Sequence, residues 1–236
     1  MSTIKNTSSP QLDWNSVIFS TLEDILATDF EAAIFDFDGT IAHTHHIWKL
    51  VDQEFFESRG IPYTPEIGKI LSPLGFERGA EWAIATYGLK EDPEEIVAEW
   101  KELSKSFFVN SVQLRPGVVD FIGKLQEKDI PTALATVNEP ELLALLEPRL
   151  HLSTLFDTQV FAADVGSAKD EPHLYLEVLK RLNAPAEKTI LFEDIPLALQ
   201  TGNSVGLITC AVNCDDEHQD IEKLFELADF TIKHWY

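Results

Sequence analysis

Apolar residues along the chain fall into short solid runs separated by stretches where they recur with helical spacing. The solid runs are Ala32-Ala33-Ile34-Phe35, Ile130 to Ala135, Thr158 to Phe161, Thr189 to Phe192, Val205 to Val212 and Phe230 to Ile232. Short apolar runs bounded by turn residues are the pattern of strands buried on both faces. Between them, helical spacing predicts a helix opened by Pro116-Gly117 and running to about Lys128. Further helices are predicted over Pro140 to Arg149, Pro172 to Leu182, Leu197 to Gly202 and Ile221 to Leu227. Strand and helix alternating at this spacing give a parallel sheet with helices on both faces. The expected fold class is α/β, with a doubly wound, Rossmann-like parallel core.

The pattern changes over residues 46–112. Helical periodicity predicts Ile47 to Ser58, about Pro65 to Leu71, Glu77 to Tyr87 and Pro93 to Val109, punctuated by Gly60-Ile61-Pro62, Gly75 and Gly88. With no strand in this stretch, it reads as a helical insert. The expected organisation is therefore a leader over 1–30, a core from 31–45 and 113–236, and an inserted helical cap over 46–112. Within the leader, Leu12, Trp14, Val17, Ile18, Leu22, Ile25 and Leu26 are apolar. Ser20 with Glu23 fits a capping box for a short helix from about Thr21 to Ala27, whose role is packing.

Charge narrows the list of partners. The 236 residues carry 40 Asp and Glu against 18 Lys and Arg, a formal charge of -22. Such a surface repels phosphodiester backbones and anionic bilayers, so neither nucleic acid nor membrane is expected as a partner. Any phosphate site must then be a local concentration of positive charge. Cys210 and Cys214 have C-x3-C spacing with no second pair to complete a zinc site, and read as two reduced thiols. No basic segment leads into an apolar run at the N-terminus, and no apolar stretch reaches the ~18 residues that span a bilayer. A cytoplasmic monomer or homodimer is the expectation.

Candidate chemistry lies at the strand ends. Asp36-Phe37-Asp38-Gly39-Thr40 follows the first apolar run, and Gly39 permits a turn that brings both carboxylates to one pocket. Alone, the pair also fits two solvated acids. Thr136 ends a second run, and its hydroxyl with the backbone N–H groups of Val137 and Asn138 at a helix start can hold a phosphate, or simply cap the helix. Lys169, in Ser167-Ala168-Lys169-Asp170-Glu171-Pro172, is either a solvated charge or the point charge that neutralises a phosphoryl group. Glu193-Asp194 ends the run Thr189 to Phe192, and such acids suit Mg²⁺, a hard cation that prefers oxygen.

The order and spacing of these four groups resemble the haloacid dehalogenase superfamily from about residue 31 to near the end. The helical insert is similar to the cap of the subgroup that includes β-phosphoglucomutase and phosphoglycolate phosphatase. The resemblance implies Asp36 as the nucleophile that attacks phosphorus and Asp38 as general acid, then base. It implies Thr136, Val137, Asn138 and Lys169 as phosphate ligands. It implies a Mg²⁺ cofactor held by Asp36, the Asp38 carbonyl and Asp194, with Glu193 in or near that shell. A carboxyl at Asp38 fits phosphoryl transfer, because an alkoxide leaving group needs a proton, and sets dehalogenation aside. The implied activity is Mg-dependent hydrolysis of a small phosphorylated metabolite through an aspartyl-phosphate. The alternatives are a β-phosphoglucomutase-like mutase and a non-catalytic binding protein on the same fold.

Three departures from that pattern stand out. His43 takes a place where related enzymes often carry an acid, and with His45 and His46 it forms a cluster read as hinge polarity rather than a metal site. Asp170 and Glu171 separate Lys169 from Pro172, where proline usually follows directly. Trp48 stands where the mutase has its hinge histidine. Arg78, in Gly75-Phe76-Glu77-Arg78, matches the mutase arginine that contacts the distal part of the substrate, and also fits an exposed helix-start arginine.

Overall fold

The computed structural model describes Trp14 and residues 19–236, so Leu12, Val17 and Ile18 of the leader lie outside the described residues. The first helix, α1 (Leu22–Leu26), is capped by Thr21 and Asp24 rather than by Ser20 and Glu23. The shift has a cause: the Ser20 backbone N–H is already committed to the Thr231 carbonyl at 2.9 Å, which ties this segment to the sheet edge. Leu22 and Ile25 are buried in the core, while Trp14 packs on Phe19 and Phe225.

Next come β1 (Ala32–Phe35) and four helices, α2 (His45–Ser58), α3 (Pro65–Leu71), α4 (Gly75–Tyr87) and α5 (Pro93–Ser111). The chain leaves the sheet and returns to it side by side. His43 donates its backbone N–H to the Gln113 carbonyl at 3.0 Å, and Arg115 donates to Ile41 at 2.8 Å. Phe55, Phe56, Phe76, Trp100 and Phe108 are buried among these helices. α5 begins with a capping box between Asp92 and Glu95, with Pro93 at its first turn where no N–H is missed.

The remaining chain alternates. It runs through α6 (Val118–Gln126), β2 (Thr132–Thr136), α7 (Pro140–Ala144), α8 (Glu147–Leu150), α9 (Leu152–Leu155), β3 (Thr158–Phe161), α10 (Ala162–Val165) and α11 (His173–Leu182). It ends with β4 (Thr189–Glu193), α12 (Pro196–Val205), β5 (Ile208–Val212), α13 (Ile221–Leu227) and β6 (Phe230–Ile232). The six strands lie in the order β3-β2-β1-β4-β5-β6, every neighbouring pair parallel.

Two departures from the expected bounds have a direct physical cause. The single helix over Pro140 to Arg149 is broken, because the Pro148 ring collides with the carbonyl four residues back, at Ala144, where α7 stops. The last long strand begins at Ile208 rather than Val205, because α12 runs on to Val205 and ends on Gly206 with φ 90°.

Side chains alternate across the sheet. Ala33, Phe35, Ile190 and Phe192 face a layer that includes α1, α6 and Trp235, while Ile34, Ala133 and Leu191 face α11. Phe35 and Phe192 stack at 4.8 Å under Trp235. The Trp235 indole donates to the Thr40 carbonyl at 3.1 Å, bracing the turn after β1 from below. β1 is thus central, packed on both faces, and its C-terminal edge opens toward α2–α5.

Candidate active site

The parallel register aligns the ends of β1, β2 and β4. Phe35 pairs with Leu134 and with Phe192, so the residues just beyond them emerge on one edge. Asp36 continues this ladder by donating its backbone N–H to the Phe192 carbonyl at 3.1 Å. Gly39, at φ 78°, turns the chain back, and a Cβ there would overlap the His45 imidazole and the Asp194 carboxylate. The glycine is required twice over, for its backbone conformation and for the room it leaves.

Four expected residues meet here. Lys169, 1% exposed, contacts Asp36 Oδ1 at 2.6 Å and is also ion-paired with Glu193. Asp36 Oδ2 is buried with no hydrogen-bond partner among the described residues. Oxygens of Asp36, Glu193 and Asp194 lie within 4.8 Å of one another. Burial and then the neighbouring Glu193 push the Asp36 carboxyl well above its ordinary range, against the pull of Lys169. Burial opposes the Lys169 charge, yet Asp36 and Glu193 outweigh it and hold the ammonium well above its usual value. Three carboxylates around one ammonium leave negative charge uncompensated in a buried place. A divalent cation bound to the free Asp36 oxygen corrects that, so the residues present fit such an ion.

Glu193 is the most committed of the three. Its Oε2 accepts the backbone N–H groups of Asp194 and Ile195 at 2.7 and 2.9 Å, and burial raises its carboxyl to about 7. Asp194 accepts from Thr40 Oγ1 at 3.2 Å and pairs with His45 Nε2 at 2.8 Å. Burial works against its ionised form, but His45 and Lys169 hold its carboxyl below the usual range.

Asp38 stands apart on the other side of the turn. The Trp48 indole donates to its Oδ1 at 2.6 Å and the Asn138 amide to its Oδ2 at 3.0 Å. Burial raises its carboxyl above the ordinary range, and the donors on Trp48, Thr44 and Asn138 oppose that rise. The expected second motif is therefore split in its contacts. The Thr136 hydroxyl accepts the Asn138 N–H at 3.0 Å, Val137 lines the cavity, and Asn138 reaches across to Asp38.

A cavity of about 720 Å³ opens above these residues, walled on the far side by α2 and α3 through His46, Trp48, Lys49, Asp52 and Lys69. Arg78, expected at the distal end of a substrate, is not among the cavity-lining residues. Its guanidinium grips Asp170 through both oxygens at 2.6 and 2.8 Å. The two residues inserted between Lys169 and Pro172 are what place an acid within its reach.

Three contacts were not drawn from sequence: Trp48 on Asp38, His45 on Asp194, and Arg115, whose Nη1 donates to the Gly39 carbonyl at 3.0 Å. A signal for the first two exists, since His45, Trp48 and Asp52 recur at positions i, i+3 and i+7 of α2 and so share one helix face. The Arg115 contact has none, because 76 residues separate the partners.

Residues 33–212, most of the chain, match the family described as haloacid dehalogenase-like hydrolase. The chain belongs to this family. A Thermotoga maritima relative, named a phosphorylated carbohydrates phosphatase, is 32% identical over 178 residues, 75% of this chain and 82% of its own. The fold is that of β-phosphoglucomutase from Clostridium difficile, with TM-score 0.72 and 20% identity over 87% of this chain and 92% of that one. It is also that of the Rhodobacter sphaeroides protein CbbY, crystallised with xylulose-1,5-bisphosphate, with TM-score 0.74 and 22% identity over 87% and 95%. Among the described residues no helix is long and apolar enough to cross a membrane.

Proposed function

We propose that this haloacid dehalogenase-like hydrolase is a phosphatase that releases phosphate from a small phosphorylated metabolite through an aspartyl-phosphate on Asp36. A phosphorylated carbohydrate is the favoured class, the class named for the Thermotoga maritima relative. The observation that carries the reading is the buried Asp36 carboxylate. One of its oxygens is fixed by Lys169 and the other lacks a hydrogen-bond partner among the described residues, where the end of β1 meets a cavity large enough for a small organic phosphate.

Each residue then has a task. Asp36 attacks phosphorus, and the bond to the leaving alkoxide breaks as the new P–O bond forms. Asp38, whose carboxyl burial pushes above its ordinary range, gives its proton to that alkoxide. It next removes a proton from the water that attacks the aspartyl-phosphate, which frees Asp36 and inorganic phosphate. Trp48 and Asn138 hold Asp38 in place for both steps. Lys169, the Thr136 hydroxyl and the Val137 N–H take the phosphoryl oxygens, with the Asn138 N–H held on Thr136 to shape the turn. Asp36, the Asp38 carbonyl and Asp194, steadied by Glu193, would hold Mg²⁺, which when bound supplies charge neutralisation between an anionic nucleophile and an anionic ester.

Residues 46–112 are proposed as a cap that closes over the substrate, hinged at the paired segments around Ile41–His43 and Gln113–Arg115. The contact of Trp48 with Asp38 favours hydrolysis over a mutase cycle, because an indole N–H donates but does not titrate. Phosphate release from a panel of sugar phosphates, with and without Mg²⁺, tests the proposal. Magnesium-dependent release that vanishes in Asp36→Asn is expected. Release at an undiminished rate from Asp36→Asn overturns it.

A further inference from the structure

Beside the oxygen-rich cluster sits a second group of donors with different chemistry. Ligand atoms of His45, Cys214 and Asp194 lie within 4.8 Å of one another. They come from three separate segments: the first turn of α2, the residue after β4, and the loop after β5. Cys214 is 5% exposed and lines the cavity, whereas Cys210 is buried inside β5 and does not. Sequence spacing hid this group, because the partner of Cys214 is a histidine 169 positions earlier, not the neighbouring cysteine.

We propose that His45, Cys214 and Asp194 form a site for a thiophilic divalent cation such as Zn²⁺, sharing Asp194 with the proposed magnesium set.

An imidazole nitrogen, a thiolate and one carboxylate oxygen are the mixed donors that zinc, cobalt and cadmium accept and magnesium avoids. At tetrahedral geometry the nitrogen and oxygen ligands of zinc stand roughly 3.3 Å apart, and nitrogen and sulfur roughly 3.6 Å. The present separation of His45 Nε2 from Asp194 Oδ2 is 2.8 Å, so a small tilt of the ring admits the ion. The ring has freedom for that tilt, its side chain being 34% exposed on the cavity side. Its other nitrogen, Nδ1, faces Asp216 Oδ2 at 3.8 Å, the place from which a carboxylate orients a metal-ligating histidine. All three residues line the cavity, so a bound ion would have solvent available for a fourth ligand. Because Asp194 cannot serve both ions fully, each weakens the other, by reciprocal linkage. Binding itself does not depend on the phosphatase reading; only the antagonism with magnesium rests on it.

The test titrates metal-free full-length protein with Co²⁺ and Cd²⁺. One equivalent is expected to give a thiolate-to-metal charge-transfer band, retained in Cys210→Ser and lost in Cys214→Ser. In the unaltered protein, Co²⁺ is expected to slow alkylation of Cys214, read by peptide mass, at least ten-fold, while Mg²⁺ alone does not. Excess Mg²⁺ is expected to shift the Co²⁺ titration to higher concentration. Absence of the band, a band that persists in Cys214→Ser, or alkylation of Cys214 indifferent to Co²⁺ each overturns the site. The band and the alkylation are both read on the unaltered chain, so a misfolded variant does not shield the proposal. Neither uses substrate, so their failure leaves magnesium-dependent phosphate release to stand or fall separately.

Discussion

Asp38 shows how much of this site is decided by single hydrogen bonds. In the proposed reaction this half-buried carboxyl both gives and takes a proton, which requires its charged and neutral forms to be close in free energy. Burial favours the neutral form, and the Trp48, Thr44 and Asn138 donors favour the charged one. Removing a donor that stabilises the carboxylate raises its pKa further. Trp48→Phe is therefore expected to move the alkaline limb of the kcat/KM profile, where Asp38 loses the proton it must give, to higher pH. It should also lower kcat by roughly ten- to a hundred-fold, since a hydrogen bond to a charged group contributes about 1.5–3 kcal/mol. A profile that stays in place would show that Trp48 merely packs. Asp52, across the cavity on α2, offers a cleaner stability readout. Burial raises its carboxyl to about 7, above the ~3.9 of an unfolded chain. Between those values the folded state holds a proton that the unfolded state has lost, so this group's contribution to stability falls as pH rises from about 4 to 7. Asp52→Asn is expected to flatten that part of the Tm-against-pH curve, and an unchanged slope would contradict it.

At the scale of elements, the Arg78–Asp170 pair links α4 to the loop that carries Lys169, and the Lys169 backbone N–H reaches the Pro73 carbonyl at 3.2 Å. Both side chains are partly exposed, so the pair contributes little to folding, about 0.5–1 kcal/mol in a double-mutant cycle. Its effect is expected on catalysis, because loosening this junction frees the proposed cap from the loop proposed to bind phosphate. Arg78→Ala and Asp170→Ala should raise KM similarly, and the double variant no more than either alone. Additive losses would point instead to separate roles, including direct contact of Arg78 with substrate. The strands and most helices were legible in the sequence because solid apolar runs and helical spacing are local signals. The break at Pro148 and the stop at Gly206 were legible in principle, as both are turn chemistry written in one residue. What could not be read was reach across the fold. Nothing near Asp170 names Arg78 as its partner, and nothing near Cys214 names His45. The convergence of Asp36, Lys169, Glu193 and Asp194 was anticipated only because their order along the chain resembles a known family. Their spacing alone does not put β1 beside β4.

The whole molecule works against its own substrate. With a formal charge of -22, it repels a phosphate ester until the ester comes within reach of Lys169. Salt screens that repulsion as the Debye length falls from about 30 Å at 0.01 M to about 8 Å at 0.15 M. At saturating Mg²⁺, kcat/KM is expected to rise over this range, opposite to an enzyme that steers its substrate electrostatically. A falling value would mean that the cavity's lysines, Lys49 and Lys69 among them, dominate the field. The central claim is covalent, however, and one measurement reaches it most directly. Protein mixed with substrate and Mg²⁺ is quenched in acid within the first turnover and mapped by peptide mass. The account predicts one phosphoryl group on the peptide containing Asp36, absent when Mg²⁺ is withheld and absent in Asp36→Asn. Turnover at full rate with no label on that peptide, or with label elsewhere, would contradict it.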